Sequence, residues 1–236
     1  MNLWLVIPIA WLAFAVLARW LLDNPREDVP AGLLWHFSRL YSRVLHRVRY
    51  VGLEHLPKTR PPGSLILVSN HASGVDPILI IAACRFEARF IMARDMRAPV
   101  LEPLWQFANI ILVDRQNRDA SGTREAIRHV KEGGAIAIFP EGGIERPPCT
   151  LKPFQAGVGL LIRRTGAPVL PVLIRGAPRS GSAWSAYWTP SRTTIEFKPP
   201  IRYSGEQSPH DIAADLQRRY EEWTGWPVAP DADTTS

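Results

Sequence analysis

With 236 residues, of which 46% are hydrophobic, the chain is long enough for one α/β domain with a sizeable core and an attached segment. Its formal net charge of +6 favours anionic partners such as an anionic lipid surface, since no RNA- or DNA-binding motif supports nucleic acid as the alternative partner. Two cysteines without metal-ligand spacing, Cys84 and Cys149, indicate neither a metal centre nor a disulfide.

The N-terminal segment predicts a retained membrane anchor. Residues 3–18 carry no charge and make about 24 Å of helix, and extension to residue 22 reaches about 30 Å if Arg19 directs its guanidinium to the membrane surface. Pro8 and several aromatic side chains favour a helix near the interface: Trp4, Trp11, Phe14 and Trp20. A signal peptide is the alternative, but no basic residue precedes the apolar run and no convincing small-residue cleavage site is present.

A second membrane element is predicted directly after the anchor. Between Leu33 and Val48 apolar residues recur at helical spacing, and four arginines occupy other faces: Arg39, Arg43, Arg47 and Arg49. Such a helix lies on an anionic leaflet or packs on the domain as an ordinary surface helix, and the two roles are compatible. Because basic residues follow the first apolar run and none precedes it, we expect a membrane-associated domain on the cytoplasmic face of a bacterial inner membrane.

Residues 70–77 contain a candidate catalytic pair. Residues 64–69 predict a buried strand, residues 78–84 predict a helix, and Asp76-Pro77 has the form of an N-cap followed by proline at the first helical position. Five helical steps would set His71 and Asp76 about 140° apart, so the two meet only if the residues between them form a loop. A histidine oriented by a carboxylate is a general base, whereas the alternative is that Asp76 only caps the helix.

Three further apolar strands are predicted, each with polar residues at its carboxyl end. Residues 110–113 end in Asp114-Arg115, residues 135–139 end in a glycine-rich turn with Glu141, and residues 168–174 end in Arg175-Gly176. The carboxyl ends of strands are the usual position of a site in an α/β sheet.

These blocks, in this order, resemble the glycerolipid acyltransferase family of the 1-acylglycerol-3-phosphate acyltransferase type. The first family block, N-H-x-S-x-x-D, is matched by Asn70, His71, Ser73 and Asp76. The other three blocks are an apolar strand ending in arginine, F-P-E-G and a V-P-V-like strand, and they are matched by Arg115, residues 139–142 and residues 170–172. The resemblance extends from about residue 50 to residue 176.

The resemblance implies a single α/β domain with a central, mostly parallel sheet flanked by helices, preceded by a two-helix membrane-attachment motif. We place that motif at residues 1–50, the acyltransferase domain at residues 51–226 and a disordered tail at residues 227–236. Near the carboxyl end, residues 193–197 predict a strand and residues 209–223 a closing helix. The loop at residues 180–191 contains Trp184, Tyr187 and Trp188, which belong either to the core or to an interfacial patch.

The implied reaction is acyl transfer from an acyl-CoA or acyl-carrier-protein thioester to the free hydroxyl of a lysophospholipid, with 1-acylglycerol-3-phosphate giving phosphatidic acid. His71 is expected to remove the hydroxyl proton and Asp76 to fix the imidazole tautomer. Because a thiolate is a good leaving group, no covalent acyl-enzyme, metal or cofactor is required. Eight residues are expected to bind substrate: Asn70, Ser73, Arg115, Glu141, Gly142, Gly143, Arg146 and Lys152.

We expect distinct roles within this set. Arg115 is the candidate for the acceptor phosphate, with help from Arg146 and Lys152, and Glu141 is expected to order the site. The backbone amides around Gly142 and Gly143 are candidates for the oxyanion or a phosphate.

Departures from the family pattern leave other acceptors open. Gly143, Ile144 and Glu145 stand where the family usually has threonine, arginine and serine, and Gln155 replaces a lysine. A lyso-aminolipid or another lysophospholipid is therefore an alternative acceptor. A hydrolase is disfavoured because the chain contains no G-x-S-x-G elbow, and a lipid-binding scaffold would be expected to lose His71 or Asp76.

Overall fold

The computed structural model describes residues 3–97, 99–114, 120–144, 147–179 and 184–229. Two helices come first, α1 (Leu3–Leu22) and α2 (Val29–Val44). The elements of the domain then follow in chain order: β1 (Arg49–Val51), β2 (Leu65–Ser69), α3 (Asp76–Ile81), β3 (Ala88–Ala93), α4 (Glu102–Phe107), β4 (Ile111–Val113), α5 (Ser121–Lys131), β5 (Ala135–Ile138), α6 (Ala156–Thr165), β6 (Val169–Arg175), β7 (Thr194–Phe197) and α7 (Pro209–Thr224).

Within the described residues, one seven-stranded sheet runs in the order β1-β7-β6-β2-β5-β3-β4. Neighbouring strands are parallel except for β6 and β7, which pair antiparallel. Strand β2 lies between β5 and β6, so that Val68 is in register with both Ile138 and Pro171. The predicted α/β domain with a mostly parallel central sheet is confirmed, and the loop after β2 leaves the middle of the sheet.

Helices cover both faces of the sheet because its strands are apolar on both sides. In β2, Ile66 and Val68 belong to the core packed under α5, α6 and α7, whereas Leu65 and Leu67 belong to the core packed under α3. Helix α2 packs on the α3 side, where its buried Trp35 donates a hydrogen bond from Nε1 to the carbonyl of Cys84 at 3.0 Å. Its inner face is thus an ordinary domain contact.

The turn between α1 and α2 is fixed to the domain. Asn24 is buried and donates to the carbonyls of Leu21 and Asp28, both at 2.8 Å. A Cβ on Gly32 would lie 1.9 Å from the carbonyl oxygen of Leu21, so only glycine allows the two helices to approach this closely. Arg26 in the same turn bonds Glu87 at 2.6 Å.

Both helices expose apolar side chains away from the domain. They are Trp11, Phe14 and Val16 among others on α1, and Leu33, Phe37, Leu40 and Val44 on α2. No helix among the described residues combines the length and the apolar character needed to cross a bilayer.

Two predicted domain boundaries differ from the structure. Strand β1 begins at Arg49 and pairs with β7, so the sheet starts inside the segment assigned to membrane attachment. The disordered tail predicted for residues 227–236 is wrong at its start, because Leu151 donates to Pro227 at 2.9 Å and accepts from Ala229 at 2.7 Å. Residues 230–236 lie outside the described part of the chain.

Candidate active site

The predicted pair of His71 and Asp76 meets in the loop between β2 and α3. His71 Nδ1 lies 3.0 Å from Asp76 Oδ2. The Asp76 side chain is fully buried, whereas that of His71 is 18% exposed. With Asp76 ionised, Nδ1 carries the proton and donates to the carboxylate, so Nε2 is left as a free base at the surface of the sheet edge.

The same carboxylate oxygen organises the loop. Asp76 Oδ2 also accepts the amide N–H groups of Ala72 and Ser73, each at 2.8 Å. The prediction that Asp76 is an N-cap is wrong by one position, since the cap is Val75 and α3 begins at Asp76. The carboxylate faces back into the loop, which brings it to His71 rather than to the helical amides.

Asn70 and Ser73, predicted to bind substrate, are buried. The Asn70 side chain donates to the carbonyl of Ile174 at 3.0 Å and accepts its N–H at 2.8 Å, which continues the pairing of β2 with β6 through a side-chain amide. The Ser73 hydroxyl has no hydrogen-bond partner among the described residues, and its amide bonds Asp76. In this geometry Asn70 holds the loop to the sheet and Ser73 is not placed as a nucleophile.

Glu141 joins the second predicted block to the first. Its Oε1 accepts the amide N–H of His71 at 2.7 Å, and its Oε2 accepts that of Lys152 at 2.8 Å. The side chain is nearly fully buried. Glu141 therefore orders two loops around His71, and both of its oxygens face protein amides.

The glycine turn after Glu141 differs from the prediction in one respect. The N–H of Gly142 donates to the carbonyl of Phe139 at 3.1 Å, so this amide is not directed at a substrate oxyanion. A Cβ on Gly143 would lie 3.3 Å from Lys152 Nζ, which places the Lys152 ammonium against this turn. Gly143 and Lys152 remain together as candidates for an anion.

Arg115, which follows β4, and Arg146, which follows the glycine turn, lie outside the described residues.

Phe139 and Tyr187 contribute to the site although they were not among the predicted site residues. The Phe139 ring stacks on the His71 imidazole with centroids 4.1 Å apart and an angle of 17°. Tyr187 donates its hydroxyl to the carbonyl of Gly74 at 3.2 Å, within the loop between β2 and α3. Burial raises the pKa of Tyr187, and the negative charge of Asp76 raises it further. Phe139 could have been found from the F-P-E-G block, and Tyr187 from the aromatic loop.

Tyr220 supports the site from the opposite helix layer. Its fully buried hydroxyl donates to the carbonyl of Val68 at 2.6 Å and accepts the N–H of Val172 at 3.1 Å. It thus bridges β2 and β6 just before β2 passes into Asn70 and His71. No local sequence signal identifies this residue, because 152 positions separate it from Val68.

Comparison with known proteins finds curated relatives of this chain. A 1-acyl-sn-glycerol-3-phosphate acyltransferase of Borreliella burgdorferi is 30% identical over 134 residues, which cover 54% of this chain and 51% of that protein. An N-acylphosphatidylethanolamine synthase of Arabidopsis thaliana is 28% identical over 138 residues, which cover 52% of this chain and 49% of that protein. The chain thus spans about half the length of these curated relatives.

The fold has a solved counterpart. The crystal structure of the 1-acyl-sn-glycerophosphate (LPA) acyltransferase PlsC from Thermotoga maritima superposes with a TM-score of 0.64 at 25% identity, covering 90% of this chain and 88% of that one. The family model described as Acyltransferase matches residues 47–175, which is more than half of the sequence and includes His71, Asp76 and Glu141. The chain therefore belongs to the acyltransferase family.

Proposed function

We propose that the chain transfers a fatty acyl group from an acyl thioester to the free hydroxyl of a lysophospholipid, with 1-acylglycerol-3-phosphate as the principal acceptor. The observation that carries the proposal is the contact between His71 Nδ1 and the buried Asp76 Oδ2 at 3.0 Å. It leaves Nε2 of a partly exposed imidazole as a base at the carboxyl edge of a parallel sheet.

The proposed reaction is a direct transfer. His71 Nε2 takes the proton of the acceptor hydroxyl while the hydroxyl oxygen attacks the thioester carbonyl, and the developing imidazolium is stabilised by Asp76. The tetrahedral intermediate then collapses, the carbon–sulfur bond breaks, and the departing thiolate takes the proton from the His71 imidazolium, which restores the neutral base. Phe139 covers one face of the imidazole and limits its rotation.

The phosphate of the acceptor is proposed to meet Lys152. The Lys152 ammonium lies against Gly143, which has no side chain of its own, and the Lys152 amide donates to Glu141. By family resemblance Arg115 and Arg146 are proposed to assist. A contact between a cation and a phosphate is a charge-assisted hydrogen bond worth about 1.5–3 kcal/mol.

A second acceptor class is supported by a specific departure from the family pattern. Gly143 and Ile144 stand where threonine and arginine are usual, which removes a hydroxyl and a cation from the turn. One relative is named an N-acylphosphatidylethanolamine synthase, so a related protein is named for an amide-linked product. The alternative proposal is the same acyl transfer to a lyso-aminolipid or another lysophospholipid.

Membrane association is part of the proposal. The exposed apolar faces of α1 and α2 point away from the domain, and the exposed arginines Arg39, Arg43 and Arg47 accompany α2. Apolar area together with arginines fits an anionic lipid surface. The domain is proposed to lie on the cytoplasmic leaflet, with acyl-CoA or an acyl-carrier protein delivering the donor.

The function is tested by incubating the purified protein with a panel of acceptors and both donor types, followed by mass spectrometry. The panel contains lysophosphatidic acid, lysophosphatidylethanolamine, a lyso-aminolipid and phosphatidylethanolamine. The His71→Ala variant sets the background rate. Phosphatidic acid formed well above that background supports the principal proposal, product from another acceptor alone supports the second, and background rates with every acceptor contradict both.

A further inference from the structure

The chain segment after β6 presents two tryptophans to solvent. Its short 3-10 turn spans Ser185–Trp188 and buries Ala186, whereas Trp184 is 52% exposed and Trp188 is 82% exposed. We call residues 184–188 the tryptophan turn. The sequence leaves open whether these rings belong to the core or to an interface, and their exposure excludes the core. An indole with an apolar body and one N–H is favoured at the interfacial layer of a bilayer.

The tryptophan turn is fixed to the carboxyl end of α2. Tyr41 of α2 donates its hydroxyl to the carbonyl of Tyr187 at 2.7 Å. Just beyond the turn, the amide of Ser191 donates to Leu45 at 3.2 Å and that of Thr193 to His46 at 3.1 Å. The position of the two indoles is therefore set by the same helix that carries the exposed apolar face described above.

Aromatic contacts join the two surfaces. The exposed ring of Phe37 stacks on Tyr41 with centroids 5.9 Å apart. Tyr41 donates its hydroxyl to the backbone carbonyl of Tyr187. The Tyr187 ring in turn stacks on Trp184, again with centroids 5.9 Å apart. The apolar face of α2 thus continues through Tyr41 and Tyr187 to the tryptophan turn.

The tryptophan turn also contacts the loop between β2 and α3. Tyr187 donates its hydroxyl to the carbonyl of Gly74, which lies between His71 and Asp76 in the sequence. A surface that engages Trp184 and Trp188 therefore lies one residue away from the loop that holds the proposed general base.

The charges around the turn select the occupant of this surface. Arg43 and Arg47 are exposed at the end of α2, and exposed Arg192 lies between Ser191 and Thr193, the two residues bonded to that end. Three arginines on the segments that hold the tryptophan turn complement the phosphates and interfacial layer of an anionic membrane.

We propose that Trp184 and Trp188 insert into the interfacial layer of an anionic phospholipid bilayer, as a third membrane contact beside α1 and α2. The contact holds the His71 loop against the leaflet from which a lyso-lipid acceptor is drawn, and in that role it rests on the proposed function. A protein partner that covers the indoles is the competing occupant.

Insertion is tested with an environment-sensitive dye on a single cysteine. Trp188→Cys is labelled in a Cys149→Ser background, where the remaining Cys84 is buried and unreactive. The matched control carries the dye at Arg164→Cys, an exposed position on α6 on the other face of the sheet. Phosphatidylglycerol vesicles should raise the fluorescence of the dye at position 188 severalfold and leave the control unchanged. Equal responses at both positions, with the protein bound to the vesicles, would overturn the proposal in favour of a protein partner.

A kinetic experiment tests the link to the acceptor. The double variant Trp184→Ser/Trp188→Ser is compared with wild type on a long-chain lyso-lipid in vesicles and on a short-chain, monomeric analogue. Trp188→Ser alone controls for loss of the stack between Trp184 and Tyr187. We expect the vesicle rate to fall about tenfold or more, equivalent to about 1.4 kcal/mol, and the rate on the soluble analogue to stay unchanged.

The two outcomes separate insertion from catalysis. An equal loss on both acceptors for both variants would place the indoles in active-site packing and overturn the membrane role. If wild type transfers no acyl group to either acceptor, the proposed function fails, while the dye at position 188 still decides whether the turn inserts.

Discussion

At the scale of single residues, the site is held by two carboxylates that face protein groups. Asp76 Oδ2 is hydrogen-bonded to the imidazole of His71 and accepts two loop amides. Glu141 accepts the amides of His71 and Lys152. The position of the His71 ring therefore depends on both carboxylates, one through its side chain and the other through its backbone.

The first residue-scale prediction concerns the general base. His71→Ala should abolish acyl transfer, since a general base contributes about 10²–10⁴-fold, while the fold should remain because the side chain is partly exposed. Asp76→Asn should also be severe, because an amide can hold the imidazole in the wrong tautomer. Steady-state rates together with circular dichroism provide the measurement. A folded His71→Ala protein that keeps half of the wild-type rate contradicts the assignment.

The second residue-scale prediction separates the two carboxylates. In Glu141→Gln one amide N–H would face an NH₂ group instead of an oxygen, so we expect the free energy of unfolding to fall by about 1–3 kcal/mol and kcat to fall with it. Urea unfolding and steady-state kinetics measure the two effects. Glu206→Gln, the same change at an exposed position, serves as the control. Equal behaviour of the two variants would show that Glu141 does not order the site.

At the scale of elements, the loop between β2 and α3, which holds His71, is positioned by the ends of the central strands. Asn70 extends the pairing of β2 with β6 through Ile174, and the Tyr220 hydroxyl of α7 bridges Val68 and Val172 immediately before it. The loop therefore starts from a point fixed on both the strand and the helix layer.

The element-scale prediction is that Tyr220→Phe lowers kcat more than it changes the Michaelis constants. The variant leaves the Val68 carbonyl and the Val172 N–H without the hydroxyl that now bridges them, at a cost of about 1–3 kcal/mol. Strand movement at this point displaces His71 rather than the substrate contacts. Tyr203→Phe, which removes a 2.9 Å bond to Asp215 at a distance from the loop, is the matched control. Equal kcat values in the two variants would contradict a positioning role for Tyr220.

At the scale of the whole molecule, the sequence predicts the strands better than their surroundings. The buried strands β2, β5 and β6 are apolar runs, so composition alone indicates them. Strands β1 and β3 carry Arg49 and Arg89 and have no such pattern. Sheet order is set by pairing between distant segments, which no local pattern contains.

Within the site, the sequence predicts contacts inside a motif but not contacts between distant segments. Local spacing in residues 70–76 suffices to bring His71 to Asp76, because the loop closes on itself. Whether Asn70 faces substrate or Ile174 depends on the position of β6, 104 residues later, and the contacts of Tyr220 depend on α7. The sequence predicts which residues are chemically important but not which of their atoms are already engaged.

The first molecular-scale prediction concerns pH. Burial lowers the pKa of His46, an effect partly opposed by the negative charge of Asp76, and burial also lowers the pKa of His129. A lowered histidine pKa means that the unfolded chain takes up protons before the folded protein does, so the stability that the two histidines contribute is complete above the ordinary pKa of about 6.5 and is lost as pH falls below it. The free energy of unfolding should therefore decrease as pH falls below about 6.5.

Chemical unfolding across that pH range provides the measurement. His46→Asn keeps a polar group near the Ser191 hydroxyl but cannot take up a proton, so its stability should decrease less with pH than that of wild type. An equal decrease would assign the effect to other groups. The carboxyl groups of Asp23, Glu196 and Asp215 have lowered pKa values. The stability that they contribute is therefore lost only as pH falls below the ordinary carboxyl pKa of about 4, which is well below the pH at which the histidines act.

The last prediction tests the basic face that α2 and the tryptophan turn share. Arg43→Gln/Arg47→Gln removes two exposed positive charges, while Arg39 is left in place because it stacks on buried Trp35 at 4.6 Å. Each arginine near an anionic surface is worth about 1 kcal/mol, so binding to phosphatidylglycerol vesicles should weaken about 30-fold. Binding to zwitterionic vesicles should change little, since only the apolar contacts act there, and high salt should remove the difference between the variant and wild type.

The control variant Arg128→Gln/Arg164→Gln removes the same charge from α5 and α6 on the other face of the sheet. Vesicle flotation at two salt concentrations distinguishes the cases: equal weakening in both double variants would mean that net charge, and not this face of the molecule, binds the membrane.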